Sequence, residues 1–250
     1  MWTTALVTGA SSGIGEAFVR RLASSGTKVI VVARRRDRLD ALATELNGIE
    51  VLDADLATRK GVDTVVHRLA SGDVDLLINN AGFGNDGPFH ELDAVAAENE
   101  ISVNVVALAR LAHAAAAPMV AKRHGGILNV SSVASFQAAP GFGSYAATKA
   151  FVTNFTETIH EDLRPHGVKV TALCPGLTRS EFHASAGIGS YDTYPDFVWQ
   201  SADEVAAFGL KALERNTCLA VPGAPNKVLA TLSGALPRAL TRRAAGATRR

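Results

Sequence analysis

The segment GSYAATKA, residues 143–150, sets a phenol and an ammonium four places apart among small side chains. On a helix Tyr145 and Lys149 share one face, one turn apart. Such a pair can do acid–base chemistry. A free tyrosine titrates near 10 and is a poor base at neutral pH, whereas a neighbouring cation favours the phenolate. Bringing the phenol to about 7 needs roughly 4 kcal/mol of differential stabilisation, more than one lysine can be assumed to supply. Tyr and Lys at this spacing are also common by coincidence, so the rest of the chain has to decide.

A second chemical signature lies near the start. An apolar run leads into TGASSGIG, residues 8–15, with glycines at 9, 13 and 15 in the pattern G-x-x-x-G-x-G. Glycine permits a tight turn and lets backbone approach a pyrophosphate, while the following helix offers free N–H groups and its positive dipole end. An ordinary glycine-rich turn would look similar; a strand before and a helix after favour a dinucleotide site. The next apolar run ends in ARRRDRL, with Arg34, Arg35, Arg36 and Arg38 in five positions. An acid here holds the ribose hydroxyls of NAD, whereas Arg accommodates the 2′-phosphate of NADP. Cations crowded at a helix N-terminus oppose the macrodipole by a few tenths of a kcal/mol each, which makes better sense with an anion among them. The reading is NADP(H), contacted by Arg34 and Arg35; Asp37, late for a ribose acid, keeps NAD(H) open.

These groups need a scaffold. At 250 residues the chain can form one α/β domain with a large core. Its 47% hydrophobic and 20% charged residues fit a globular protein, and a net charge of +1 gives no overall field to recruit nucleic acid. Cys174 and Cys218 lie in apolar runs and read as buried thiols, not a disulfide. No His/Cys cluster suggests a metal. The start MWTTALVTGASSG lacks a basic region followed by a long apolar core, and no run approaches the roughly 20 apolar residues of a membrane helix. Cytoplasmic localisation, with membrane contact disfavoured, is the expectation.

Short β-branched runs at 3–9, 28–33, 49–55, 74–80, 126–132, 168–176 and 218–223 read as seven strands, nearly continuous in apolar residues as strands covered on both faces are. Helical periodicity fills the gaps, as in RLDALATEL and AENEISVNVVALARLAHAAAAPMVAKR. The alternation predicts an α/β fold, a Rossmann-type doubly wound parallel sheet with helices on both faces, in a single domain over 1–250. Ligands of such sheets bind beyond the carboxyl ends of the strands.

In order and spacing these residues resemble the short-chain dehydrogenase/reductase family, in its form of about 250 residues. The match runs from Thr3 to about Gly223: the glycine pattern at 8–15, Asp55-Leu56, N-N-A-G at 79–82, Asn104, Ser132, Y-x-x-x-K at 145–149 and Pro175-Gly176. Each is weak alone; their joint order, with Ser132 thirteen residues before Tyr145, is specific. The resemblance implies hydride exchange between a nicotinamide and a carbonyl or secondary alcohol. It implies Tyr145 as general acid or base, and Ser132 as donor to the substrate oxygen, an oxyanion-type contribution. Lys149 would bond the nicotinamide ribose and lower the Tyr145 pKa, helped by the positive ring of the oxidised cofactor. Asn104 would hold a water linking Lys149 to solvent. Ser131 and Ser132 could both be strand-end hydroxyls satisfying backbone; the spacing to Tyr145 selects Ser132.

The cofactor would lie along Gly9, Ser11, Ser12, Gly13, Ile14 and Gly15, with Asp55 at the adenine and Asn80 beside the adenosine ribose. Leu56, Ala81, Gly82, Tyr145, Lys149, Pro175 and Gly176 complete its implied contacts, and Thr178 takes the carboxamide, although Ser180 stands where many relatives have Thr. Asp55 and Asn80 could instead be turn-formers. Ser11 and Ser12 replace the basic residue that some NADP-dependent members carry, so phosphate selectivity must rest on the arginines after the second strand.

A segment over 177–202 is expected to close over the substrate. Phe182, Tyr191, Tyr194, Phe197 and Trp199 place five of the fifteen aromatics within eighteen residues. Phe136 and Phe142 are expected to wall the same cavity, implying a mostly apolar small-molecule substrate held by Phe136, Phe142, Phe182, Tyr191 and Tyr194. Arg179 and His183 could recognise a polar group or make surface contacts. Residues 224–250 form a helical, basic tail that could pack on the subunit, mediate assembly or touch an anionic membrane, in that order. Small residues in ALARLAHAAAAPM permit close helix packing, and a homodimer or homotetramer is expected. The rival to an enzyme is a cofactor-sensing protein that keeps the fold without catalysis; all four site positions are filled here, which favours the enzyme.

Overall fold

The computed structural model describes residues 2–182 and 195–247. Nine strands appear among them: β1 Thr4–Thr8, β2 Lys28–Ala33, β3 Ile49–Asp53, β4 Leu76–Asn79, β5 Gly125–Val130, β6 Val168–Leu173, β7 Thr178–Arg179, β8 Gln200–Ser201 and β9 Leu219–Ala220. Seven form a parallel sheet in the order β3-β2-β1-β4-β5-β6-β9, and β7 pairs with β8 apart from it. All seven runs read as strands from the sequence are in that sheet.

Both faces of the sheet are covered, and the period of two in each strand divides its residues between two cores. In β1, Ala5 and Val7 join a cluster with Phe18, Leu128, Leu173 and Val205, while Leu6 joins the opposite one with Val65, Leu111, Met119 and Ile127. Phe18 lies on helix α1 (Gly13–Ser24) and Val65 on α3 (Arg59–Leu69), with α2 (Arg36–Glu45) between them in sequence. The strand order reverses between β1 and β4, which fixes the crevice at the carboxyl ends of these strands as the place for a ligand.

The long apolar stretch is helix α4 (Ala94–Ile101), a π-helical passage over Ser102–Ala107, and α5 (Leu108–Lys122). By length and composition alone the span Ala94–Lys122 could cross a membrane, and nearly half of its most apolar stretch is buried. The expectation that no such run exists is thereby corrected. An alanine-rich helix interrupted by Arg110 and His113 escapes a count of contiguous apolar residues. Leu108, Leu111, Ala112, Ala115 and Met119 turn into the core.

Helix α6 (Gly143–Leu163) carries the Tyr–Lys pair, and α7 (Ala202–Glu214) starts at a capping box between Ser201 and Glu204. The tail forms α8 (Ala224–Ala235) and α9 (Arg238–Ala247). On α8, Ala230 packs near Val133 and Phe136 and Ser233 is buried, while Val228, Leu229 and Leu232 stay exposed. Cys174 is buried and Cys218 half-buried, both as free thiols.

Candidate active site

Strand β1 ends at Thr8, and the chain turns through Gly9 and Gly13 at φ of 66° and 56°, the left-handed region that favours glycine. The turn is tight. A Cβ on Gly9 would lie 2.7 Å from Asn80 Nδ2, and one on Gly15 would lie 2.2 Å from the Gly9 carbonyl oxygen. The Asn80 amide donates to the Thr8 and Gly9 carbonyls at 2.9 and 3.3 Å. Thr8 Oγ1 accepts the Asn80 and Ala81 N–H groups, both at 3.0 Å. Asn80 thus braces the glycine turn from the end of β4. Ser12 precedes α1 without a side-chain capping bond, so the helix start keeps N–H groups for an anion, and a bulky side chain cannot fill the cradle. These residues fit a dinucleotide pyrophosphate.

The arginines divide their work. Arg36 pairs with Asp40 at 3.0 Å and Asp53 at 2.8 Å. Arg35 donates to Ser11 Oγ at 2.9 Å, Ser12 Oγ at 2.8 Å and Glu181 at 2.8 Å. Arg38 reaches the other Glu181 oxygen at 2.6 Å. Hydrogen bonds from Arg35 and then Arg38 hold the Glu181 carboxyl down at about 2. Arg34 is exposed and makes no side-chain hydrogen bond or ion pair among the described residues. An anion arriving here would find Arg34 ready and Arg35 partly engaged.

Helix α6 carries Tyr145 and Lys149, and Ser132 follows the end of strand β5, whose last residue Lys149 touches. Lys149 is 4% exposed, and its Nζ donates to the Val130 carbonyl at 2.8 Å and stands 5.6 Å from the Tyr145 ring centroid. Burial pulls the Lys149 ammonium down to about 8, against the opposing influence of Cys174 and Glu100. Tyr145 lies between Phe142, edge-on at 5.3 Å, and Phe182, tilted at 5.4 Å. Ser131 is spent on structure: its hydroxyl donates to the Lys149 carbonyl at 2.9 Å and meets Thr153 at 2.7 Å. Ser132 Oγ accepts the Ala134 N–H at 3.1 Å as the cap of the turn Val133–Phe136, leaving its own proton available to donate.

Asn104 sits in the π-helical passage, buried. Its side chain clamps a backbone: Oδ1 accepts the Phe83 N–H at 3.1 Å, and Nδ2 donates to the Phe83 carbonyl at 2.8 Å and to Thr148 Oγ1 at 3.1 Å. The clamped segment passes close to the Tyr–Lys pair. A Cβ on Gly82 would lie 3.2 Å from Lys149 Nζ, and one on Gly84 2.9 Å from Tyr145 Cδ2.

Asp55 accepts the Ala57 N–H at 3.0 Å in a turn, and Leu56 is buried in the core. Ile14 packs on the opposite core. Pro175 accepts from Val133 N–H, Gly176 abuts Asn226, and buried Thr178 donates to the Gly176 carbonyl at 3.1 Å. Ser180 lies over the glycine turn, where a Cβ on Gly13 would come within 2.9 Å of the Ser180 Cβ. Phe136 packs with Cys174 and Val221, apart from the Tyr145 cluster. Arg179 pairs with Asp196 at 2.6 Å and lies over Trp199. Tyr191, Tyr194 and His183 lie outside the described residues. Two residues here take no role from the sequence, Glu100 and Glu181, and Thr8 reads there only as the start of the glycine pattern. A glutamate within a helix reads as solvent-facing, so nothing in the pattern marked Glu100 as buried. Among the described residues no group of three His, Cys, Asp or Glu could hold a metal.

A family model described as short chain dehydrogenase matches residues 3–188. An uncharacterized oxidoreductase of Myxococcus xanthus is 34% identical, over 91% of this chain and 93% of that protein. Among solved structures, a short-chain dehydrogenase from Sphingobium yanoikuyae in complex with NADPH is similar at 36% identity and a TM-score of 0.86, covering 93% of each chain. A bulky-bulky ketone specific alcohol dehydrogenase from Comamonas testosteroni is 33% identical with a TM-score of 0.81, covering 93% of this chain and 91% of that one.

Proposed function

The chain belongs to the short-chain dehydrogenase/reductase family, whose members exchange a hydride between a nicotinamide cofactor and an alcohol or carbonyl group, and on that premise we propose that it is an NADP(H)-dependent enzyme for a mostly apolar carbonyl or secondary alcohol. One observation carries the mechanism. A buried ammonium, Lys149, stands 5.6 Å from the ring of Tyr145, in a site floored by glycines.

A bound nicotinamide would supply the hydride in one direction and accept it in the other. In reduction Tyr145 gives its proton to the substrate oxygen and is left as a phenolate, which the Lys149 charge stabilises. Ser132, its oxygen already anchored by the Ala134 N–H, donates to the same substrate oxygen as negative charge gathers there. Oxidation runs these transfers backwards. Asn104 holds Phe83 and Thr148, keeping the Gly82 backbone beside Lys149. Phe142 and Phe182 flank Tyr145 with apolar surface, which supports an apolar substrate, as does the likeness to a bulky-ketone dehydrogenase.

The glycine turn, the open start of α1 and Arg34 with Arg35 are the cofactor's holders in this reading, with Arg34 and Arg35 toward a 2′-phosphate. The likeness to an NADPH complex supports it. A second reading, an NAD-preferring dehydrogenase, is favoured by one fact: Arg35 is already engaged by Ser11, Ser12 and Glu181. Assembly as a homodimer or homotetramer is proposed through exposed apolar positions Ile101, Val106 and Phe151 on α4 to α6. Segment 177–202 is taken to close over the substrate. A panel of aldehydes, ketones and secondary alcohols assayed with both reduced and both oxidised cofactors tests the proposal. It stands if turnover is found with NADP(H) and vanishes in Tyr145→Phe, and falls if turnover survives that change.

A further inference from the structure

Glu100 is fully buried, in the last turn of α4; among the described residues its Oε1 makes no hydrogen bond of normal geometry, and besides Asn85 the Ser144 hydroxyl of α6 acts on the carboxyl. Its Oε2 accepts both the backbone N–H of Asn85 at 2.8 Å and the Asn85 side-chain amide at 2.7 Å. Asn85 Nδ2 also donates to the Ala96 carbonyl at 3.2 Å. A carboxyl taken from water with one oxygen poorly satisfied is costly, and an apolar side chain would fill the space at less expense. Packing therefore does not explain it; what Oε2 holds does.

Glu100 and Asn104 lie one helical turn apart, and they hold neighbouring points of one strap: Asn104 holds Phe83, Glu100 holds Asn85. Between the two anchors lies Gly84, where a Cβ would sit 2.9 Å from Tyr145 Cδ2 and 3.0 Å from Phe142 Cε1. No side chain fits there, so the backbone itself lies on the phenol ring. We propose that Glu100 is a positioning residue of this active site: through Asn85 it holds the Gly82–Asn85 strap against Tyr145 and Lys149. The inference rests on the reading of Tyr145 as proton donor and adds the group that fixes its surroundings. Burial pushes the Glu100 carboxyl up, toward the neutral form, in which it still accepts from Asn85. Among the described residues the charged and titratable groups nearby come from three elements: Lys149 of α6 over the ring, Cys174 after β6 facing Lys149, and Glu100 of α4.

The first readout needs no substrate. The chain has three tyrosines, Tyr145, Tyr191 and Tyr194, so in a Tyr191→Phe/Tyr194→Phe background tyrosinate absorbance titrates Tyr145 alone. Glu100→Ala removes the acceptor of both Asn85 bonds; releasing the strap admits water and loosens the ring from Lys149, so the titration should move upward by roughly half a pH unit or more. Asn85→Ala, which loses the side-chain bond and keeps the backbone one, should move it the same way by a smaller, measurable step. Glu100→Gln keeps an oxygen for Asn85 and should restore the starting value. On any substrate the wild type accepts, NADPH turnover should fall about tenfold or more in Asn85→Ala, because the phenol is no longer held in place. An unmoved Tyr145 titration in folded Asn85→Ala overturns the inference, as does a folded Glu100→Gln that fails to restore it. If Glu100→Ala does not fold, Asn85→Ala decides alone. Should Tyr145→Phe retain full turnover, the proton-donor reading fails, a result separate from the titration.

Discussion

The Arg35 guanidinium donates to the Glu181 carboxylate at 2.8 Å, joining the arginine cluster after β2 to the chain that follows β7. Arg38 grips the other oxygen of the same carboxylate at 2.6 Å. Glu181 therefore stands where an anion is wanted, at the entrance to the segment taken to close over the substrate. A cofactor phosphate and this carboxylate would draw on the same guanidinium.

Cofactor choice follows from that sharing. NADPH is expected to bind more tightly than NADH, with a preference that weakens as salt is raised. Replacing Arg34 and Arg35 together by alanine should cost NADPH on the order of 2–4 kcal/mol, if each charge-assisted contact contributes about 1.5–3 kcal/mol in a partly wet site. NADH affinity should barely change. Glu181→Gln removes a competitor held by exposed pairs, worth about 0–1 kcal/mol, so NADPH affinity should rise by a few-fold at most. Isothermal titration of both cofactors reads all three. Equal wild-type affinities for NADH and NADPH would leave the arginines as a solvated helix start.

Tyr145→Phe keeps the ring between Phe142 and Phe182 and removes only the proton. Turnover should fall by at least about a hundredfold while NADPH binding survives. Ser132→Ala should fall by a comparable factor, since it removes a donor to the developing charge. Near-normal rates in either purified variant would remove that residue from the mechanism.

The sheet and the placing of Tyr145 and Lys149 on one helix were legible because their signals are local. An apolar run of β-branched residues names a strand wherever it lies, and Y-x-x-x-K names one face of α6. The strap was not legible, because it joins residues distant in sequence: Asn85 to Glu100, Gly84 to Tyr145. The same limit applies to Asn80, expected beside a ribose, whose amide braces the Thr8 and Gly9 carbonyls. It also applies to Phe136, where chain position between Ser132 and Tyr145 implied the substrate cavity and packing set the ring beside Cys174. Glu181 was invisible for another reason: a lone acid carries no pattern until its partners are known.

Asp75 offers a test of the scaffold. Its carboxylate accepts the Thr3 N–H at 2.8 Å, the Thr3 hydroxyl at 2.7 Å and the Thr4 N–H at 3.0 Å, tying the start of β1 to the residue before β4. Asp75→Ala leaves those donors without a buried acceptor, so stability should fall by about 1–3 kcal/mol. A urea midpoint equal to wild type would show that water replaces the carboxylate at no cost.

The pH dependence centres on Lys149, whose ammonium burial pulls from 10.5 down to about 8. The unfolded chain therefore holds a proton on this group between about 8 and 10.5 that the folded, cofactor-free chain gives up. Stability from this group rises with pH across that window: a cost of about 3 kcal/mol, fully present below 8, is relieved as pH approaches 10.5. Function moves the opposite way. Binding that requires the charged ammonium weakens as the free enzyme loses its proton, by up to about tenfold per pH unit above 8. NADPH affinity measured from pH 7 to 9.5 should thus turn downward near 8 in wild type. Lys149→Ala should bind NADPH more weakly and without that turn, and its rate profile should shift upward in pH because the phenol has lost its cation. An affinity flat across the range in wild type, or the same turn in Lys149→Ala, would mean that Lys149 is not the group holding the cofactor.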